Sequence, residues 1–251
     1  MRSGKLLQYF FIFCVVVSCD SDTSLSSADG GGTGQGGSMT RFSIQGNRMY
    51  IVDHTSVSVF DIANNNFAKI NQVEVNMGIE TIFAKGEYLY LGANDAMYIY
   101  SIANPDQPAF VFRYAHIVSC DPVVVQGDRA YVTMRGGTRC NLGTNALEII
   151  DISDPNAPTL IANYPMTSPH GLAVDGNVLF ICEGESGLKM FDISNERDIQ
   201  LKSHLTDFFA YDVIARSGVA TITGEDGIFQ YAYNPEKLNL LSKIMVSREA
   251  L

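Results

Sequence analysis

Beyond residue 38 the apolar positions of the chain alternate with polar ones over short runs, as at Met49 and Ile51 or at Val57 and Val59. Gly, Asn, Asp and Pro fall between the runs. A period of two bounded by turn residues predicts half-buried β-strands. No stretch after Val17 repeats with the period of an amphipathic helix. The strand pattern itself recurs five times, starting at Phe42, Glu80, Asp121, His170 and Asp212. Each unit reads as apolar strand, Gly or polar turn, strand usually bearing Tyr, short loop, strand ending in Asp-Ile or similar, turn, strand. Met39 to Leu251 is 213 residues, or about 43 per unit. Four short antiparallel strands in roughly 40 residues predict a β-propeller blade. A blade cannot bury both faces alone, so the five must pack around an axis. The expectation is therefore an all-β propeller of five blades, with six as the lesser alternative, since a sixth unit is not visible. The units begin and end in phase, so no strand is shared between the termini. The last blade is expected to dock on the first by packing alone.

The letters of the repeats narrow this further. "MYIVD" (49–53), "SVFDI" (58–62), "EIIDISDPNAP" (148–158) and "LKMFDIS" (188–194) resemble the LVIVD-repeat proteins. The resemblance covers Arg41 to Ser247. It is strongest in the third and fourth repeats and weakest in the fifth, where Thr221 and Thr223 replace apolar letters. It implies a bacterial secreted or surface β-propeller and no particular activity. Asp61, Asp151 and Asp192 each end a strand and open a turn. An Asp there bonds its own backbone two residues on, so recurrence in three repeats predicts a geometric role.

The first 38 residues do not look like part of this fold. Arg2 and Lys5 precede "LLQYFFIFCVVV", Leu6 to Val17, an apolar run of 12 residues interrupted only by Gln8. That is short of the roughly 20 residues a spanning helix needs and suits a signal-peptide core over residues 1–18. The run ends "VVSC", which resembles the lipobox of bacterial lipoproteins, so Cys19 is the expected lipidated residue. Residues 20–38 are rich in Gly, Ser and Asp and read as a flexible tether. The acidic "DSD" directly after Cys19 resembles an export signal of surface lipoproteins. The expected address is the outer membrane, lipid-anchored and facing the cell surface, with the periplasmic face as alternative.

Charge removes one class of partner. The chain carries 17 Lys and Arg against 27 Asp and Glu. Loss of residues 1–18 takes Arg2 and Lys5 and no acid, giving a net charge of −12. Such a surface repels nucleic acid, and no basic patch offsets it.

In a propeller the innermost strand begins beside the axis, and the loop between the second and third strands returns to the same face. Aligned on Gly46, Gly86, Gly127, Gly176 and Ser217, the residues six places earlier are Thr40, Glu80, Asp121, His170 and Tyr211. These are expected to ring the channel mouth. The loops add Glu183 and Glu225. The third repeat instead carries an insertion, Met134 to Ala146, with Arg135, Arg139 and Cys140. Cys120 and Cys140 fall at one face of one blade. A disulfide between them would enclose 19 residues and contribute ~3 kcal/mol in an oxidising compartment. A metal site with His170 as third ligand, or two unrelated cysteines, are the other readings. Cys182 reads as a buried thiol.

The group Glu80, Asp121, Arg135, Arg139, His170, Glu183, Tyr211 and Glu225 mixes both charge signs around a concavity. It suits a small polar ligand or a protein partner, with no cofactor or at most a divalent cation. A wet channel mouth would also gather polar residues with no ligand at all. Catalytic signatures are missing: there is no G-x-S-x-G, P-loop or H-E-x-x-H. A binding module is therefore expected. The alternative is a hydrolase or lyase acting on a glycan or small polar substrate through the axial carboxylates and His170.

Overall fold

A computed structural model of the chain describes residues 36–63, 67–75, 78–115, 122–136 and 145–246. All lie in one compact unit. The first blade is β1 (Phe42–Gln45), β2 (Arg48–Val52), β3 (Ser56–Asp61) and β4 (Ala68–Glu74). The second is β5 (Ile79–Lys85), β6 (Tyr88–Ala93), β7 (Ala96–Ser101) and β8 (Ala109–Ala115). The third is β9 (Val123–Gln126), β10 (Arg129–Met134), β11 (Ala146–Asp151) and β12 (Thr159–Pro165). The fourth is β13 (Leu172–Asp175), β14 (Val178–Cys182), β15 (Leu188–Asp192) and β16 (Gln200–Leu205). The fifth is β17 (Ala210–Arg216), β18 (Val219–Gly224), β19 (Gly227–Asn234) and β20 (Lys237–Met245). Each set forms one four-stranded antiparallel sheet in sequence order, and no strand crosses between sheets. The five repeats of the sequence are thus five blades.

The hairpin turns confirm the alignment used to read the sequence. Gly46, Gly86, Gly127 and Gly176 all have φ between 56° and 58°, and Ser217 takes φ 51° in the same place. Ser217 is the only non-Gly residue with positive φ among the described residues. An L side chain there costs roughly 1–2 kcal/mol, so the turn geometry prevails over local preference in the fifth blade. The recurrent aspartates do what their position predicts. Asp61 accepts from the amide of Ala63 at 2.8 Å, Asp151 from Ser153 at 2.9 Å and Asp192 from Ser194 at 2.9 Å.

Neighbouring blades share apolar clusters built from their alternating side chains. Tyr50, Val57 and Val59 of the first blade pack with Ile82, Leu89 and Leu91 of the second. Similar clusters join the second blade to the third, the third to the fourth and the fourth to the fifth. Charged bridges recur at the rim. Arg48 reaches Asp61 of its own blade and Asp106 of the next, and Arg129 repeats this with Asp151 and Glu196. Such solvent-accessible pairs contribute little energy singly.

No cluster joins the fifth blade to the first among the described residues. Val219 holds the position of Arg48 and Arg129 there, so the rim bridge has no donor. Phe42 on one side is 50% exposed, and Ile228 on the other 39%. The sequence reading expected these blades to dock face to face; the structure joins them otherwise. Residues 36–40 form a strap across the axis. The Ser38 hydroxyl is buried, donates to Asp212 of the fifth blade at 2.9 Å and accepts from the Leu172 amide of the fourth at 2.8 Å. The Thr40 carbonyl accepts from Ile82 of the second blade at 3.0 Å. The strap fits because Gly37 and Gly171 lie against Asp212, where a Cβ would stand 2.1 and 2.0 Å from its carboxylate oxygens. Burial raises the pKa of Asp212, while its bonds to Ser38, Val213 and Met39 pull it back down.

The inner strands β1, β5, β9, β13 and β17 line an axial channel of about 340 Å³. No helix among the described residues is long and apolar enough to cross a membrane, which says nothing of a β-barrel.

Candidate functional site at the axial mouth

Where the strap meets the starts of β5 and β9, a pocket of about 250 Å³ opens. Met39 enters from the strap, Arg41 from the start of the first blade, Glu80 and Thr81 from β5, Pro122 and Arg135 from the third blade, and Pro169 and His170 from the fourth. Three of the residues expected at the mouth, Glu80, Arg135 and His170, are brought together here.

Their electrostatic states differ. Glu80 is held between Arg41 at 2.5 Å and Nδ1 of His54 at 3.4 Å. Arg135 has no carboxylate within ion-pair reach among the described residues, and burial lowers its pKa. His170 is 8% exposed. Its Nδ1 lies 2.7 Å from the Ser168 carbonyl. A carbonyl oxygen only accepts, so Nδ1 carries the proton and Nε2 is left with its lone pair. Burial is the main cause lowering the His170 pKa, opposed by the bond to Ser168; Arg135 lowers it further and Glu183 opposes. The result is an imidazole biased to its neutral form, with no partner on Nε2 among the described residues.

Glu183 has a different place from the one its repeat position suggested. It is fully buried and does not line the pocket. Its carboxylate accepts from the amides of Thr167 at 3.0 Å and Ser168 at 2.5 Å, and from Lys189 at 2.8 Å. Glu183 thus pins the loop that presents His170. Thr133 adds a second restraint, its buried hydroxyl donating to the His170 carbonyl at 2.7 Å.

The remaining expected residues are dispersed. Tyr211 is 40% exposed and meets the His170 ring edge-on with centroids 6.3 Å apart. Glu225 lies in the exposed turn between β18 and β19, its amide bonded to the Phe209 carbonyl at 3.3 Å. Cys182 is a free, fully buried thiol whose pKa burial pushes up. Cys19, Cys120, Asp121, Arg139 and Cys140 lie outside the described residues. Among the described residues no three His, Cys, Asp or Glu side chains converge to hold a metal ion. Arg41 was missed in the sequence because it stands one place past the ring position; its pairing with Glu80 places it at the pocket.

The comparisons with known proteins agree with this architecture. The LVIVD repeat model matches residues 80–116, 119–166 and 169–207, which are the second, third and fourth blades. No curated protein matches the sequence. A functionally unknown protein from Desulfotomaculum acetoxidans superimposes with TM-score 0.70 at 9% identity, over 82% of this chain and 69% of its own. The periplasmic gluconolactonase of Pseudomonas aeruginosa gives 0.65 at 12%, over 80% and 68%. BamB from Moraxella catarrhalis gives 0.54 at 12%, over 82% and 65%. This chain therefore spans about two thirds of these neighbours, and at such identities the likeness is one of fold.

Proposed function

This chain is a β-propeller of LVIVD repeats, and from that premise we propose that it is a ligand-binding module working through its axial mouth. The observation that carries the reading is the 250 Å³ pocket, in which Arg41, Glu80, Arg135 and His170 converge from the first four blades. A concave site with a few convergent polar groups and a half-buried guanidinium, which has no carboxylate partner among the described residues, is what a small polar ligand uses. A divalent cation is less well served, because Glu80 is already paired with Arg41. The test is ligand-induced stabilisation. A polar small molecule that raises Tm in the parent protein should lose that effect in Arg135→Gln and His170→Phe, with the ligand-free Tm little changed. An undiminished shift in both variants overturns the reading.

In this reading Cys19 carries the lipid anchor and residues 20–35 tether the propeller to the outer membrane, since residues 36–38 of the expected tether belong to the strap. What supports it is the sequence: the basic start, the short apolar run and "VVSC". A chain of this length and composition reaches about 22 Å on average, enough to keep the mouth clear of the headgroups. Cys19→Ser should shift the protein from the membrane to the soluble fraction and abolish palmitate labelling; retention at the membrane would count against the anchor.

A hydrolase or lyase is the second reading, favoured by one observation. The His170 imidazole, its Nε2 without a partner among the described residues, shares the pocket with Glu80 and has the form of a general base. One structural neighbour is named a gluconolactonase, but a shared fold carries no activity. Turnover of a glycan or lactone that vanishes in His170→Phe and Glu80→Gln would favour this second reading over simple binding.

A further inference from the structure

We propose that the ligand of the axial mouth is a small hydroxycarboxylate, its carboxylate held by Arg135 and its hydroxyl donating to Nε2 of His170. The proposal rests on the reading of the mouth as a binding site and adds the chemistry of what enters it.

Charge selects the first group. Among the described lining residues Arg41 and Glu80 form one pair and cancel. His170 is neutral, so Arg135 is the charge left over. Counting the described lining residues, the pocket carries one net positive charge in a chain of formal net charge −10. A half-buried guanidinium without a counter-ion has lost hydration that nothing in its described surroundings replaces. An anion restores that interaction, and a carboxylate matches the guanidinium fork with two parallel hydrogen bonds. A phosphate dianion fits less well. It wants several donors or a nest of backbone amides, whereas Pro122 and Pro169 bring no N–H to the wall.

Hydrogen-bond direction selects the second group. The Ser168 carbonyl fixes the proton on Nδ1, so Nε2 of His170 can only accept. A carboxylate is itself acceptor-only and cannot satisfy that nitrogen. The ligand must carry a donor besides its anion. An ammonium would be repelled by Arg135, which leaves a hydroxyl. The apolar stretches of Met39, Pro122 and Pro169 then face the carbon skeleton. A volume of 250 Å³ holds about eight water-sized groups, which suits a molecule the size of glycerate.

Titration calorimetry of the full chain with D-glycerate, propionate, glycerol and inorganic phosphate tests this. D-glycerate should bind, with propionate at least tenfold weaker because it lacks the hydroxyl and glycerol without measurable heat because it lacks the charge. Arg135→Gln should weaken D-glycerate at least tenfold, with Arg135→Lys recovering part of the loss. His170→Phe should bring D-glycerate down to the level of propionate and leave propionate unchanged. Circular dichroism and Tm of each variant separate lost binding from lost folding. Equal binding of propionate and D-glycerate, binding that survives Arg135→Gln, preference for phosphate, or no binding of any probe would each overturn the proposal. If a neutral polyol instead binds and still depends on His170, the ligand class fails while the mouth stands as the site. If no polar probe senses either residue, both fall.

Discussion

Glu183→Ala is expected to lower Tm by roughly 6–12 °C and to remove ligand-induced stabilisation at the axial mouth, although Glu183 touches no part of the pocket. The carboxylate is fully buried and collects the amides of Thr167 and Ser168 together with Lys189. Removing one partner of a buried ion pair typically costs about 3–5 kcal/mol, since the other charge stays desolvated. The same change frees the amides of Thr167 and Ser168. For a domain of this size each kcal/mol moves Tm by roughly 2–4 °C, so even the lower end of that cost is conspicuous. The functional part follows from the chain: Ser168 supplies the carbonyl that fixes the His170 tautomer, two residues before the ring it holds. Glu183→Gln keeps an acceptor for the amides but loses the charge facing Lys189, and should fall between parent and Ala. Thermal melts with and without ligand check both halves. A Glu183→Ala protein that melts like the parent, or that loses stability yet binds ligand normally, would show that the carboxylate does not position His170.

This residue also shows how far the sequence could be read. The repeat frame placed Glu183 at the correct end of the molecule, because the loop after the second strand does return to the axial face. The frame could not say whether the side chain faces the ligand or the protein. That depends on the neighbouring loop 167–169, which follows the outer strand of the preceding blade. Glu80 and His170 were legible because they sit at the repeated ring position, and Arg135 because an insertion marks its blade. Arg41 was not legible, since it stands one place past the ring position and only its ion pair with Glu80 brings it to the mouth. Blade count, strand order and the turn aspartates followed from short-range patterns that each blade satisfies by itself. The junction between the first and last blades is a long-range matter between segments with no shared pattern, and there the expectation failed. One signal was present: Thr221 and Thr223 stand in the fifth repeat where the fourth has Phe180 and Cys182.

That exchange gives the second large effect. Phe180→Thr should cost about 3–5 kcal/mol, whereas Ile228→Thr, one blade further on, should stay within about 0.5 kcal/mol. Phe180 is fully buried in the cluster between the fourth and fifth blades, with Leu188 and Met190 beside it and Val213, Ile222 and Phe229 opposite. Its ring meets Tyr233 edge-on at 4.8 Å. Truncation leaves a cavity and places a hydroxyl among apolar neighbours, two penalties in one substitution. On the corresponding face of the fifth blade, Thr221, Gln230 and Ser242 stand in one cross-strand row. Gln230 donates to Thr221 at 3.4 Å and accepts from Ser242 at 3.0 Å. A polar ladder of this kind is how the end unit of a stacked array tolerates water on its outer face. Ile228 shares that face, 39% exposed, and has less burial to lose than the fully buried Phe180. The pair of variants therefore measures whether the seam between the fifth and first blades is open in solution. A cost for Ile228→Thr comparable with that for Phe180→Thr would mean the two faces close on one another, and that the strap through Ser38 and Asp212 is not what holds the ring at that point.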